Sequence, residues 1–379
     1  MYNLMISAGE ASGDAHAAHA IAELQQHYPT ITTFGMGAGE LQATGTELIV
    51  DCRDLAVIGF VDVLLNYHKF LQRLKKLRTV MRERKPDILI LVDFPDFNLK
   101  LAETAKDLGI PVMFYVSPTV WAWRPKRIHR IGKLVDHMAV LFPFEVPYYE
   151  RENIPVTYTG NPLVDDVACD LTQPEALASV GLSLDKPTVA LLPGSRPGEL
   201  KRHLPVMLET AHILTTRHPG IQFVMPRAAT LSEQDVASHL ESAAVNLKVI
   251  EGNTHTVLRA ADAVICASGT ATLETALIGT PMVVIYKLSS LNYQLMSRLI
   301  KIRDIALVNI VAGYRIVPEL IQDDANAENI GIQLSALLTN QQLADTQRKN
   351  FTMVREKLGD GGASRKVAEV IKQLLEKTV

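Results

Sequence analysis

The chain has 379 residues, 47% of them apolar and 21% charged, with a net charge of −3. At ~100–200 residues per domain this makes two or three domains with ample core material, and the near-neutral charge gives no case for nucleic acid as a partner. Its three cysteines, Cys52, Cys169 and Cys266, are too few and too scattered for a disulfide framework or a four-cysteine zinc site, and they fit a reducing cytoplasm. The first residues lack a basic leader and no apolar run approaches the ~20 residues of a spanning helix. The expectation is a cytosolic protein, or one that lies on a membrane without crossing it.

Short apolar runs alternate with longer segments of helical period. The predicted strands are Asn3–Ser7, Thr32–Gly35, Ile88–Val92, Val112–Val116, His137–Phe142 and Val156–Thr159. A second series is Val189–Leu192, Gln222–Met225, Leu247–Ile250, Ala263–Cys266 and Met282–Ile285. Predicted helices include Ala15–His27, Lys69–Glu83, Leu99–Leu108, Pro205–Arg217 and Ala271–Ile278. Strands that are apolar without alternation are buried on both faces, as in parallel sheets. The series restarts after the polar stretch Asp165–Pro187. The fold class is therefore α/β, with two Rossmann-like domains whose parallel sheets face a cleft. The expected division is 1–165, 166–345 and a helical tail, 346–379, that packs back on the first domain.

In such sheets ligands collect beyond the carboxyl ends of strands, which ranks the loops. The first strand runs into Gly9-Glu10-Ala11-Ser12-Gly13-Asp14, where Ser12 reads as a helix N-cap. Ile88–Val92 runs into Asp93-Phe94-Pro95-Asp96-Phe97-Asn98. Asp93, first past the apolar run and stiffened by Pro95 and two aromatics, is the candidate general base; Asp96 and Asn98, where the next helix begins, each read as a cap. Gly194, Ser195 and Arg196 follow Val189–Leu192 and read as a pyrophosphate cradle of backbone N–H groups and one guanidinium. Ser268, Gly269 and Thr270 open the next strand–helix turn, with Glu274 about one turn inside, placed to accept both hydroxyls of a ribose. A Walker lysine loop, a full G-x-G-x-x-G and an H-E-x-x-H pair are all missing, so neither a metal nor a cofactor is expected.

From Leu64 to Lys85 there are eight basic residues and one acid, with Tyr67, Phe70, Leu71, Leu74, Leu77 and Met81 at helical spacing. Such a helix is either a solvated face over a core stripe or an interfacial helix on an anionic leaflet, with Lys69, Arg73, Lys76 and Arg82 as membrane contacts. Leu288–Ile305, with Arg298, Lys301 and Arg303, has a similar character. Trp121-Ala-Trp123-Arg124 adds aromatics and a cation near a strand end.

Five stretches together resemble the lipid-A-disaccharide synthase family, glycosyltransferases of the GT-B fold. They are Gly9–Asp14, Asp93–Asn98, Tyr115-Val-Ser-Pro-Thr-Val-Trp-Ala-Trp-Arg124, Leu192–Arg196 and Ala267–Glu274, in family order across most of the chain. The sequence departs from the family at Gly160-Asn161-Pro162, where many members have Gly-His-Pro. The resemblance implies transfer of 2,3-diacylglucosamine from UDP-2,3-diacylglucosamine to the 6-hydroxyl of 2,3-diacylglucosamine 1-phosphate, without metal. It implies Asp93 as base, Arg196 and Glu274 on UDP, and Glu10, Ser12 and Asn309 along the cleft, Glu10 in chemistry or in binding. Asp96, Trp121, Trp123 and Arg124 fall to the acceptor side. The implied partners are the two lipid substrates and the cytoplasmic face of the inner membrane, with a homodimer left open. The competing readings are another GT-B enzyme of UDP-sugars, an epimerase or a peptidoglycan-type transferase, and a non-catalytic nucleotide-sugar binder on the membrane.

Overall fold

The computed structural model describes residues 2–54, 67–240, 245–289, 293 and 303–377. Within them the chain forms two parallel-sheet α/β units. Unit 1 comprises Met1–Pro162 with Asp360–Val379, and unit 2 comprises Leu163–Gly359.

The described strands of unit 1 are β1 (Asn3–Ala8), β2 (Thr32–Gly37), β3 (Glu47–Asp51), β4 (Ile88–Val92), β5 (Val112–Tyr115), β6 (His137–Val140) and β7 (Val156–Tyr158). They pair in parallel in the order β3-β2-β1-β4-β5-β6-β7. Every residue of β4 and β5 is buried, because helices cover both faces. Leu89 and Leu91 face one core, with Leu74, Leu77 and Phe97. Ile88, Ile90 and Val92 face the other, with Ile21 and Ile371.

In unit 2 the described strands are β8 (Thr188–Leu192), β9 (Gln222–Arg227), β10 (Leu247–Glu251), β11 (Ala263–Ala267), β12 (Met282–Tyr286) and β13 (Glu319–Ile321). Their order is β10-β9-β8-β11-β12-β13. Strand order thus reverses between β1 and β4 in one unit, and between β8 and β11 in the other.

The division differs from the expected one. The chain leaves unit 1 after Pro162 and returns after Gly359, so helix Gln341–Leu358 stays in unit 2. Of the two helices in the expected tail, it is Ala363–Lys377 that packs on helix Ala11–His27, through Val367, Ile371 and Leu375. Asn161, at the family departure, is buried at the exit and its amide donates to Leu141 O at 3.3 Å.

Other expectations shift for physical reasons. Edge strands β3 and β13 pair on one side only and carry acidic residues, so they lack the apolar run that marks a central strand. Helices Pro95–Asp107 and Pro197–Arg217 start earlier than predicted, each with proline in its first turn. Pro205 looked like such a start but lies inside the second of these helices.

Helix Tyr67–Arg84 buries Leu74, Leu77 and Met81 in the core, with Phe70 packed against it. Its apolar stripe is therefore not a membrane-inserting face, although Leu71 is exposed. Lys69 and Arg82 are exposed, Lys76 donates to Ile49 O at 2.6 Å, and Arg73 is half-buried. Of the second basic stretch, positions 290–292 and 294–302 lie outside the described residues, Arg298 and Lys301 among them.

The returning helix yields a test. Ile371 is fully buried. Truncating it to Ala is expected to cost ~2–5 kcal/mol, read as a lowered urea midpoint with an unchanged slope.

Candidate functional site

Open α/β sheets bind ligands where the strand order reverses. In unit 1, Ala8 pairs with Val92, so Gly9 and Asp93 leave adjacent strands side by side. Asp93 and Phe94 then adopt φ of 48° and 46°. Left-handed backbone costs a non-glycine residue ~1–3 kcal/mol and clusters at functional sites.

The strained turn is clamped. Asp93 N–H donates to Tyr115 O at 3.0 Å. The buried Asn98 amide reaches Asp93 O at 2.7 Å, Ser7 O at 3.1 Å and Val92 O at 3.2 Å, and Ser7 Oγ donates to Asn98 Oδ1 at 2.6 Å. A Cβ at residue 9 would lie 2.3 Å from the Phe94 ring, so only glycine fits there. Burial and the Glu10 carboxylate push Asp93 up to about 6, against the pull of the Phe94 N–H. The mechanism is desolvation plus like charge, which poises a carboxylate as a base near neutrality.

Neighbouring expectations are corrected. Ser12 does not cap the first helix; that helix starts at Ala11, with extended Glu10 before it, and Ser12 is exposed in its first turn. Asp96 makes no cap bond; its carboxylate pairs with Arg127 at 2.7 Å and lies 3.7 Å from Arg124. Asn98 is the clamp that sequence reasoning left as a possible cap. Asp14, the last residue of the first motif, is buried and accepts from the N–H groups of Ala38, Glu40 and Leu41. Trp121 meets Phe144 edge-on at 5.2 Å, and the Arg124 guanidinium sits 4.1 Å over Trp123.

In unit 2 a cavity of about 410 Å³ opens beyond β8 and β11. It brings together Gly194, Ser195, Arg196, Ser268, Gly269, Thr270 and Glu274, all singled out from sequence, and adds Glu199 and Tyr286. Asn309 is not among its lining residues. The Asn309 side chain is buried and used internally: it donates to Val317 O and Glu319 Oε1 and accepts from the Ile316 and Val317 N–H groups.

The cradle is built differently from the expectation. Ser195 and Arg196 N–H groups donate to Glu199 Oε2, at 3.1 and 3.3 Å. The β8 loop therefore offers the cavity the exposed Arg196 guanidinium rather than these two N–H groups. Helix Ala271–Ile278 supplies the other half through the positive end of its dipole, since its Thr272 and Leu273 N–H groups already donate to Gly269 O and Thr270 O at 3.2 and 2.9 Å. Glu274, deeper in the wall, lies 3.7 Å from His255; burial raises its pKa and His255 opposes the rise. His203 was missed. It is fully buried, its Nδ1–H donates to Pro193 O at 2.8 Å, and its Nε2 accepts from Lys287 N–H at 3.0 Å. One neutral tautomer satisfies both bonds, and burial holds its pKa below the usual imidazole range.

Comparison with known proteins gives the family. Residues 4–373 match the family model for lipid-A-disaccharide synthetase. A lipid-A-disaccharide synthase from Geobacter sulfurreducens is 46% identical over 100% of this chain and 98% of its own length. One from Nitrosococcus oceani is 46% identical over 98% of this chain and 96% of its own length. Among solved structures, a UDP-GlcNAc 2-epimerase from Neisseria meningitidis bound to UDP-GlcNAc superposes with a TM-score of 0.64 at 15% identity, covering 98% of this chain and 100% of its own. The calicheamicin glycosyltransferase CalG4 gives 0.63 at 14% identity, covering 100% and 99%. These two distant likenesses establish the GT-B fold. Because the family match runs through both units and through every loop described above, the chain belongs to the lipid-A-disaccharide synthetase family.

Proposed function

We propose that Asp93 is the general base, and the unit 2 cavity the nucleotide site, of an inverting glycosyl transfer. As a member of this family the chain is a hexosyltransferase. It moves 2,3-diacylglucosamine from UDP-2,3-diacylglucosamine to the 6-hydroxyl of 2,3-diacylglucosamine 1-phosphate, giving the β-1′,6-linked disaccharide and UDP. The observation that carries the assignment of the base is Asp93 itself: a carboxylate on a strained turn at the reversal point of unit 1, raised to about 6.

Asp93 takes the proton of the acceptor hydroxyl as its oxygen attacks the anomeric carbon opposite UDP, which inverts that carbon. The departing diphosphate gathers negative charge. Arg196 and the N-terminus of helix Ala271–Ile278 stabilise it, and preorganised groups do so without reorganisation. Glu274 accepts the ribose hydroxyls. His203, behind the lining, holds Pro193 of the cavity wall and the Lys287 N–H next to Tyr286.

Asp93→Asn is expected to lower turnover by ~10²–10⁴-fold with UDP affinity intact. In wild type, kcat/KM falls as pH drops through about 6, because protonated Asp93 cannot accept. Glu10→Gln removes the like charge that raises Asp93, so the acid limb moves to lower pH. An unmoved limb in that variant, or an active Asp93→Asn, would refute the assignment.

For the nucleotide, Arg196→Ala is expected to weaken UDP binding by ~1.5–3 kcal/mol, the range for hydrogen bonds to charged groups. His203→Ala is expected to weaken it too, with partial recovery in His203→Gln. Calorimetry with UDP decides both; unchanged affinity in Arg196→Ala removes that residue from the site.

Both substrates carry acyl chains, and no helix among the described residues is long and apolar enough to cross a membrane. We assign the protein to the cytoplasmic face of the inner membrane, held by charge through helix Tyr67–Arg84 rather than by its core-facing stripe. Exposed Lys69, Lys75 and Arg82 make this contact. Changing all three to Glu is expected to abolish sedimentation with anionic vesicles at low salt and to leave UDP affinity unchanged. Wild type is expected to dissociate in part near ~0.5 M salt, where the Debye length is far shorter than at 0.1 M. Equal vesicle binding by wild type and variant would overturn the contact.

A further inference from the structure

The structure has a second hollow, in unit 1, which includes Trp121 from the expected acceptor side. It measures about 300 Å³ and lies between the segment carrying Trp121 and helix Val146–Glu150. Its apolar wall includes Trp121, Pro125 and Tyr148, and its rim carries Lys126 and Arg151.

The wall is held rigidly. Trp121 stands edge-on against Phe144, which stacks on Phe142 at 5.4 Å. Ser117 Oγ and Tyr149 OH share a buried 2.6 Å hydrogen bond. Beneath them Glu145 is buried, and its carboxylate accepts from the Phe142 N–H at 3.1 Å. Burial raises Glu145 to about 7; the Ser117 hydroxyl and the Trp121 indole N–H face it and pull the other way, the indole without closing a hydrogen bond. Three bulky rings and a buried carboxyl fix the face that Trp121 presents.

The charge at the rim is the telling part. Two neighbouring cations are neutralised, Arg127 by Asp96 at 2.7 Å and Arg130 by Glu103 at 2.7 Å. Within the hollow, His129 and Glu152 pair at 3.0 Å. Lys126 and Arg151 are exposed, and among the described residues no carboxylate pairs with either. Two cations left unpaired over an aromatic wall suit a ligand that joins a phosphate to a sugar face or acyl stem. Its lining comes from the segments that follow β5 and β6, and β5 pairs directly with β4, the strand that leads into Asp93.

We propose that this hollow binds the 1-phosphate of the acceptor lipid, with Lys126 and Arg151 on the phosphate and Trp121 against the sugar or the first acyl carbons. The proposal rests on the family's transfer reaction for the identity of the ligand. It makes the hollow a specificity site, one that separates the phosphorylated acceptor from an otherwise similar diacylated sugar.

Trp121 and Trp123 are the two tryptophans of the chain. In a Trp123→Phe background, fluorescence therefore reports Trp121 alone. The probe is a short-chain 2,3-diacylglucosamine 1-phosphate, compared with the same sugar lacking phosphate and with phosphatidylglycerol vesicles. A saturable change is expected with the phosphorylated sugar, and about 10- to 100-fold weaker binding in Lys126→Ala/Arg151→Ala, as for charged hydrogen bonds removed. With both tryptophans present, the double variant is expected to raise acceptor KM by a similar factor while kcat and UDP affinity hold. Both changed side chains are exposed, so folding is not at stake. Unchanged acceptor KM, or an equal signal from the dephosphorylated sugar, overturns the proposal. An equal signal from the vesicles also overturns it, assigning the cations to bilayer phosphate instead. Should wild type show no transfer at all, the reaction fails as a reading, and the fluorescence titration still judges the hollow by itself.

Discussion

A carboxylate that leaves a buried strand and turns at once into left-handed backbone keeps one orientation only if the chain around it is clamped from several sides. In unit 1 the Ser7–Asn98 pair is that clamp. Asn98 spans the ends of β1 and β4 by reaching three carbonyls, while its own oxygen is held by Ser7 Oγ. The ring of Phe94 fills the space above Gly9, so the glycine is dictated by the turn in the facing loop. Two motifs far apart in sequence are thus one mechanical unit. The ~1–3 kcal/mol of strain per left-handed residue is tolerable because these bonds are buried and satisfied.

Unit 2 divides anion binding between a side chain and a helix end. Glu199 takes the N–H groups of Ser195 and Arg196, and Gly194, at φ 111°, gives it room: a Cβ there would lie 2.4 Å from Glu199 Oε2. The loop is therefore self-capped and presents a guanidinium, while the β11 side presents a helix N-terminus. An exposed guanidinium and fixed dipoles together suit a leaving group whose charge grows during the reaction.

Much of this was legible in sequence because parallel α/β folds write themselves plainly. Central strands are unbroken apolar runs, and the loops beyond them carry the chemistry, so Asp93, Arg196 and Glu274 stood out by position alone. What stayed hidden depends on pairing across long separations. Asn98 looked like a cap because its partner Ser7 is distant in sequence, and His203, just before the predicted helix, gave no signal because its two partners lie on other loops. Asn309, carried over by resemblance, turned out to brace Glu319 and the 316–317 backbone. The stripe on helix Tyr67–Arg84 had two physical explanations from periodicity, and only packing against Phe97 and its neighbours separates core from surface.

Partners, rather than location, sort the acidic groups of this protein. Asp14 collects three backbone N–H groups and Glu319 takes those of Ile305 and Ala306 together with the Asn309 amide. Glu199 closes its own helix. Each of these carboxylates is saturated by donors of the fold, which fixes it as a strut and leaves it little capacity for a ligand. Asp93 is met by one backbone N–H and by the like charge of Glu10, and Glu274 by a histidine at 3.7 Å. Both are removed from water without being fully compensated, and burial raises both. An under-compensated carboxylate gains from taking a proton or a hydroxyl, so the same desolvation that makes these two groups costly to fold makes them the ones able to act on a substrate.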